Sequence, residues 1–187
     1  MILITTSRRP SRRTRSFAKD LSKLIFSTYK INRGKLSLKG LLAEALLHKA
    51  DKILIIETFK GNPGKISLYK ICEKKHDDKK DVDMILYAKI FLRGVVLTRE
   101  RNVKFCGYIK DYSIDFSECI EEPCENIIKI VRELFGEEEK NQNKHVIKIK
   151  KENDTYIISF RKAGGEDCGP LIKISKIFIY QDLCEKI

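Results

Sequence analysis

One stretch near the beginning of the chain decides the fold: Leu3-Ile-Thr-Thr-Ser-Arg-Arg-Pro-Ser-Arg-Arg-Thr-Arg-Ser-Phe-Ala-Lys-Asp-Leu21. Its first residues are apolar and typical of a short strand over 2–5. A turn follows, because Pro10 disfavours helix at the residue before it. Ser11 is a suitable N-cap for a helix that we expect to end near Thr28. The chain therefore opens with a strand, a turn and a helix.

The predicted first helix has two unlike faces. With about 100° of rotation per residue, its apolar side chains fall on one face. The opposite face carries Ser16 and four cations, namely Arg12, Arg15, Lys19 and Lys23. We expect the apolar face to pack inward and the cationic face to meet a negatively charged partner.

Positive charge is concentrated in the first 35 residues. They hold ten cations and one anion, Asp20, and so account for +9 of the net charge of +12. Thr5 to Arg15 alone contains five Arg and five hydroxyl residues in eleven positions. One Arg guanidinium can donate hydrogen bonds to two phosphate oxygens at once. Hydroxyl groups add further donors, and the start of a helix offers free backbone N–H groups. A solvated cationic face is the alternative, but such faces usually mix signs and favour Lys.

The remaining sequence predicts a globular α/β or α+β domain with mixed sheets. We expect Ser37 to cap a helix ending near Lys49, and residues 52–72 to form a hairpin around Gly61-Asn-Pro-Gly64. The charged segment 73–83 is expected to be a loop between two halves. Further strands are predicted over 84–97, 102–112, 145–150, 155–161 and 170–180, with a helix over 121–135.

Several classes of protein are disfavoured. No apolar run approaches the roughly 20 residues that a membrane-spanning helix requires, and no signal peptide is visible, so we expect a cytoplasmic protein that contacts no membrane. The six Cys form no CxxC pair and the three His are distant from them, which argues against a metal site. In a reducing cytosol these cysteines would pack as small apolar residues.

No catalytic or cofactor motif is found. Gly61-Asn-Pro-Gly-Lys65 is not a P-loop, because Phe59 and Ile66 stand where that motif needs Gly and Ser or Thr. It is better interpreted as a hairpin turn with Lys60 and Lys65 at its tip, where they could touch RNA backbone. We predict no catalytic residue, no cofactor and no small-molecule substrate, so the chain is not expected to be an enzyme.

Aromatic side chains in strand-like segments have two interpretations. Stacking of bases on a sheet is one. Core packing is the default, because no spacing typical of RNA-recognition sheets is present. The residues concerned are Tyr69, Tyr87, Phe91, Phe105, Tyr108, Phe160, Phe178 and Tyr180.

The stretch from Leu3 to Leu21 resembles the N-terminal motif of the archaeal Brix-domain proteins. Arg33-Gly-Lys35 before a Leu-rich helix, Lys60-Gly-Asn-Pro-Gly64 and Cys168-Gly-Pro170 resemble later blocks of the family, in order. Leu171 stands where the family has Arg, which weakens the case for a second cationic contact from the C-terminal half.

The resemblance implies a single Brix domain over 1–187 made of two similar halves, about 1–78 and 79–187. Each half would resemble the anticodon-binding domain of class II aminoacyl-tRNA synthetases. It further implies a non-catalytic role in ribosome biogenesis, with ribosomal RNA or pre-rRNA and other assembly proteins as partners. A protein-docking scaffold with incidental RNA contact is the alternative. The candidate RNA-binding residues are Arg8, Arg9, Arg12, Arg13, Arg15, Lys19, Lys23, Arg33, Lys60 and Lys65.

Overall fold

The computed structural model describes residues 1–76, 79–138, 145–180 and 184. These form three α-helices, a short 3-10 helix over Thr98–Glu100, and nine strands. The helices are α1 Arg12–Leu24, α2 Leu38–Leu47 and α3 Glu122–Phe135. The strands are β1 Ile2–Thr6, β2 Thr28–Lys30, β3 Lys52–Phe59, β4 Asn62–His76, β5 Lys79–Val96, β6 Tyr112–Glu118, β7 His145–Glu152, β8 Thr155–Arg161 and β9 Asp167–Ile179.

All nine strands belong to one mixed sheet, with the order β2-β1-β3-β4-β5-β9-β8-β7-β6. β1 pairs in parallel with both β2 and β3, and β6 pairs in parallel with β7. The other neighbours are antiparallel. The expected mixed α/β class is therefore confirmed.

The same connections occur on both sides of the sheet. Each side contains a parallel pair of strands with helix between them in sequence, followed by two antiparallel strands. The parallel pair is β1 and β3 on one side, followed by β4 and β5. On the other side it is β6 and β7, followed by β8 and β9. The charged segment 73–83 is not the predicted loop. Residues 73–76 and 79–83 are strand, because cross-strand pairing such as Cys72 with Asp83 extends β4 and β5 beyond the body of the sheet.

The two faces of the sheet pack against different helices. Successive residues of β1 point to opposite faces, so Ile2 and Ile4 pack with α1 and α3, whereas Leu3 packs with α2. The larger core contains Phe17 of α1 and Ile127 of α3. The smaller core contains Leu41 and Ala45 of α2 together with Ile53 and Ile55 of β3. The cationic first helix thus lies on the face that holds the main core.

The predicted hairpin over 52–72 is confirmed, and its turn is tighter than expected. Lys60 and Gly61 have positive φ angles of 46° and 79°, as a two-residue hairpin turn requires. Gly64 lies at the bulge between Pro63 and Lys65, and a Cβ atom there would lie 2.3 Å from the Cβ of Phe59. Close approach of the two strands therefore demands glycine at position 64.

Two predicted elements differ from the structure. The first helix ends at Leu24 instead of near Thr28, because Ile25 is extended and Thr28 begins β2. The expected strand over 102–112 is irregular until Tyr112, with isolated bridges at Lys104 and Ile109. The polar loop expected around 136–144 lies mostly outside the described residues. Ser11, Ser37, Pro123 and Gly136 bound the helices as predicted.

The cysteines are not free thiols in the structure. Cys106 pairs with Cys168, Cys119 with Cys124 and Cys72 with Cys184, with Cα separations of 5.0, 5.7 and 5.3 Å. These distances lie within the range of a disulfide. The prediction of unpaired cysteines is wrong because the fold brings together residues up to 112 positions apart in sequence, which their spacing does not reveal.

Candidate nucleic-acid interface

Several of the predicted cationic residues lie at one edge of the sheet. β1, β2 and β3 are parallel, so their carboxyl ends lie at the same edge. Arg8 and Arg9 follow β1, Arg33 follows β2 and Lys60 follows β3. In α/β sheets, ligands bind outside the carboxyl ends of parallel strands, so this edge is the candidate site.

The start of α1 is fixed to the end of β3. Ser11 is the N-cap, and its hydroxyl accepts a hydrogen bond of 3.1 Å from the Thr14 N–H. The Ser11 N–H donates to the hydroxyl of Thr58, and the Thr14 and Thr58 hydroxyls lie 2.8 Å apart. The first turn of α1 is therefore held rigidly, with its positive dipole end at the candidate edge.

The predicted faces of α1 are confirmed. Arg12, Arg15, Lys19 and Lys23 are exposed, while Phe17, Leu21 and Leu24 are buried. Asp20, the one anion of the segment, is buried, and its carboxylate accepts two bonds of 3.0 Å from the N–H and hydroxyl of Thr98. Because Asp20 is directed inward, the outer face of α1 keeps its positive charge.

A cleft of about 410 Å³ lies between the loops that follow β1 and β2. Arg8, Arg15 and Arg33 line it, together with Thr6, Ser7, Pro10, Asn32 and Gly34. No carboxylate is among these residues. Burial lowers the pKa of the Arg33 guanidinium, and the nearby charge of Arg8 lowers it further. A bound anion would relieve the repulsion between these two cations.

The loops around the cleft are tied to the sheet. The Thr5 hydroxyl donates to the Ile31 carbonyl at 3.1 Å, and the Ser7 N–H donates to the Ile56 carbonyl at 2.8 Å. Arg33 is steadied by a bond of 3.2 Å from its Nε to the Leu36 carbonyl. This arrangement is preorganised, so an anion would meet donors that are already in place.

Two predicted site residues are already engaged within the molecule. Arg13 forms an ion pair of 2.8 Å with Glu100 and donates to the Val95 carbonyl at 2.7 Å. Lys65 forms an ion pair of 3.0 Å with Glu57. Lys60, by contrast, lies at the hairpin tip with its ammonium 5.5 Å from the centre of the Phe59 ring. The predicted residues thus share a region but differ in their freedom to bind a partner.

The default of core packing is correct for only part of the aromatic set. Tyr87 and Phe160 are buried, as it predicts. Tyr69 and Phe91 are half-buried. Exposed rings are found at Phe105, Tyr108, Phe178 and Tyr180, and also at Phe26, which lies outside the strand-like segments. Among the cleft residues, Asn32 and Ser7 were missed as well, because single polar loop residues carry no periodic pattern.

None of the helices in the described part of the chain is long and apolar enough to cross a lipid bilayer.

Comparison with curated proteins gives consistent matches, although no family model matches the chain. A probable Brix domain-containing ribosomal biogenesis protein from Thermococcus kodakarensis is 42% identical over 100 residues, covering 54% of this chain and 44% of that protein. The chain thus spans less than half the length of this relative. A protein of the same description from Methanococcus maripaludis is 29% identical over 179 residues, covering 95% of this chain and 98% of that protein.

A solved structure supports the same assignment. The crystal structure of a probable ribosomal biogenesis protein from Aeropyrum pernix superposes with a TM-score of 0.73 and 28% identity, covering 94% of this chain and 95% of that chain. The family resemblance carried by Leu3 to Leu21 therefore extends over almost the whole fold. Over most of its length the chain is thus similar to an archaeal Brix domain-containing ribosomal biogenesis protein and to a solved ribosomal biogenesis protein.

Proposed function

We propose that this chain is a non-catalytic ribosome biogenesis factor that binds ribosomal RNA or pre-rRNA during rRNA processing and subunit assembly. The observation that carries the proposal is the cleft lined by Arg8, Arg15 and Arg33 beside the start of α1. The names of the archaeal relatives supply the biological context. RNA is the polyanion that such a process offers to a basic surface of this kind.

Phosphate groups are the part of RNA that this surface fits. Four arginines are exposed, namely Arg8, Arg9, Arg12 and Arg15. Each guanidinium group can donate hydrogen bonds to two phosphate oxygens at once. Lys19, Lys23, Arg33 and Lys60 extend the same surface. Arg13 and Lys65 already hold carboxylates, so we assign them the task of fixing its shape. Contacts to phosphates supply affinity and register without distinguishing base sequence.

A filter-binding assay with an rRNA transcript tests this proposal. Replacing Arg12 and Arg15 together with Ala should weaken binding by at least about tenfold at fixed salt, because two charged hydrogen-bonding groups are lost. The matched control removes two charges elsewhere, at Lys39 of α2 and Lys129 of α3, both exposed. That control should bind within about twofold of wild type. Equal binding by all three proteins would overturn the proposal.

A protein-docking scaffold is the second candidate, and one observation favours it. The outer surface of α2 exposes Leu38, Leu46 and Leu47, the last of them by 75%. Exposed apolar groups of this kind often mark protein contacts. Pull-down from lysate treated with ribonuclease separates the two functions. A protein retained after treatment, and lost on Leu47→Asp substitution, supports docking; loss of all partners after treatment supports RNA binding.

A further inference from the structure

Three aromatic side chains are exposed together where α1 ends. Phe26 follows the helix directly, and Phe105 and Tyr108 belong to the irregular segment before β6. Their exposed fractions are 48%, 43% and 58%. We call these residues, with Lys23 and Lys110, the aromatic patch. Large apolar side chains left in water in a group mark a surface that contacts something else.

The patch is held in place by the fold. The Ile109 N–H donates to the Leu24 carbonyl at 2.8 Å, which joins the segment before β6 to the end of α1. Cys106, next to Phe105, forms the disulfide with Cys168 of β9. Phe26 and Tyr108 meet edge to face, with 6.3 Å between their ring centres. The rings are therefore presented in a fixed arrangement, which lowers the entropy lost when a partner binds.

Each end of the patch combines a ring with an ammonium group. Lys23 lies 4.4 Å from the centre of the Phe105 ring, and Lys110 lies 4.2 Å from the centre of the Phe26 ring. In the part of the chain that the structure describes, neither lysine forms an ion pair with a carboxylate. The patch therefore offers flat apolar surface and unneutralised positive charge at once.

This combination matches one kind of ligand, an unpaired nucleotide. Its base stacks on an aromatic ring, and its phosphate is attracted by a nearby ammonium group. A paired RNA helix cannot use the rings in this way, because its bases are stacked on one another within the duplex. An acidic peptide would satisfy the lysines but would leave the exposed rings without a flat partner.

The patch is continuous with the cationic face of α1. Lys23 belongs to both, and Arg12 begins the same face at the other end of the helix. Eleven residues separate them, so the face is about 17 Å long at about 1.5 Å per residue. A strand whose phosphates follow this face would reach the patch at its far end.

We propose that the aromatic patch binds unpaired bases, so that this protein prefers single-stranded RNA to duplex RNA. This inference rests on the proposed function and makes it narrower, since the cationic face alone does not distinguish the two forms. Phe26, Phe105 and Tyr108 provide the stacking surfaces. Lys23 and Lys110 hold the adjoining phosphates.

Filter binding to two RNAs of equal length, a 12-nucleotide single strand and a fully paired duplex, tests the proposal. The variant carries Phe26→Leu and Phe105→Leu, which keep apolar volume and remove the flat rings. It should bind the single strand about tenfold or more weakly and the duplex as wild type does. Placing Tyr instead of Leu at position 105 should restore binding of the single strand. The control is Phe116→Leu on the edge strand β6, where a ring of similar exposure, 46%, lies outside the patch.

Fluorescence gives a second test that does not depend on affinity. The chain contains no Trp, so Phe105→Trp places one reporter in the patch. Its emission should be quenched by the single strand and not by the duplex, while Phe116→Trp should respond to neither. If the double Leu variant binds the single strand as wild type does, the proposal that the aromatic patch binds unpaired bases is overturned, and the proposed function is not affected. Failure of the wild-type protein to bind either RNA overturns both.

Discussion

At the scale of single residues, neighbours of the same type have opposite tasks. Arg12 is exposed, whereas Arg13 holds Glu100 and the Val95 carbonyl. The sequence predicts that the segment is Arg-rich and that Arg12 lies on the cationic face. The sequence does not reveal the contacts of Arg13, because the groups that bind its side chain are more than 80 positions away. Long-range pairing of this kind leaves no local pattern.

Substitution at these two positions should therefore separate stability from binding. Arg13→Ala removes an ion pair and leaves the Val95 carbonyl without its partner, so the free energy of unfolding should fall by about 1–3 kcal/mol. Arg12→Ala should change it by less than about 0.5 kcal/mol and should weaken RNA binding instead. Urea denaturation followed by filter binding measures both quantities. A loss of stability in Arg12→Ala larger than in Arg13→Ala contradicts the assignment.

Tyr112 makes stability depend on pH in the alkaline range. Burial raises its pKa to about 12 from an ordinary value of 10, and its hydroxyl donates to the Gly136 carbonyl at the end of α3. The folded state therefore holds this proton more tightly than the unfolded state does. The stabilisation is complete below about pH 10 and is lost as the pH rises through 12.

Comparison of wild type with Tyr112→Phe isolates this effect from the titration of lysines. Below about pH 9 wild type should be more stable by about 1 kcal/mol, because the variant lacks the hydrogen bond to Gly136. That advantage should shrink steadily between about pH 10 and 12. Unfolding curves at a series of pH values measure it, and a difference that is constant with pH would show that the phenol is not protected by burial.

At the scale of elements, helix starts were predictable and one helix end was not. Ser11 and Ser37 each accept a bond from an N–H three residues later, as their position before apolar periodic segments indicates. The apolar pattern of α1 continues past Leu24, yet Ile25 is extended. Ile25 instead forms a bridge with Ile109 from a distant segment, so a tertiary contact overrides the local pattern.

The N-cap of α1 can be tested by a graded pair of substitutions. Ser11→Ala should lower the free energy of unfolding by about 1 kcal/mol, because the Thr14 N–H loses its acceptor. Ser11→Gly should cost only a few tenths of a kcal/mol, since water can then reach the helix end. Thermal unfolding of the two variants measures the difference. The reverse order of stability would show that the hydroxyl does not cap the helix.

At the scale of the whole molecule, the mixed α/β class could be predicted from the alternation of strand and helix patterns. The single sheet could not, because the pairing of β5 with β9 joins strands that are far apart in sequence. The charged composition of 73–83 predicts a loop, but residues 73–76 and 79–83 extend the pair of β4 and β5 beyond the body of the sheet. The repeated strand pattern leads us to propose that two halves meet between β5 and β9. In that case β5, which ends at Val96, belongs to the first half, and the boundary lies later than the position near 78 expected from the sequence. The likeness of each half to an anticodon-binding domain stays a prediction.

The disulfide between Cys106 and Cys168 links the segment before β6 to β9 across 62 positions. Closing a loop of that length stabilises a protein by about 4 kcal/mol in the chain-entropy model. Replacing both cysteines with Ala should therefore lower the unfolding free energy by several kcal/mol, an order-of-magnitude expectation. Peptide mapping without reductant should recover the linked pair. Two free thiols at these positions, with unchanged stability in the double variant, would contradict the pairing.

We propose that the edge formed by Arg8, Arg12 and Arg15 neutralises RNA phosphates, and the salt dependence of binding to an rRNA transcript measures this role. If about five phosphates are neutralised, the logarithm of the association constant should fall with the logarithm of salt concentration with a slope of roughly −3.5 to −4.5. Replacing these three arginines with Ala should make the slope shallower by about 2 to 3. A variant that keeps the wild-type slope and affinity would contradict the proposal that these arginines neutralise RNA phosphates.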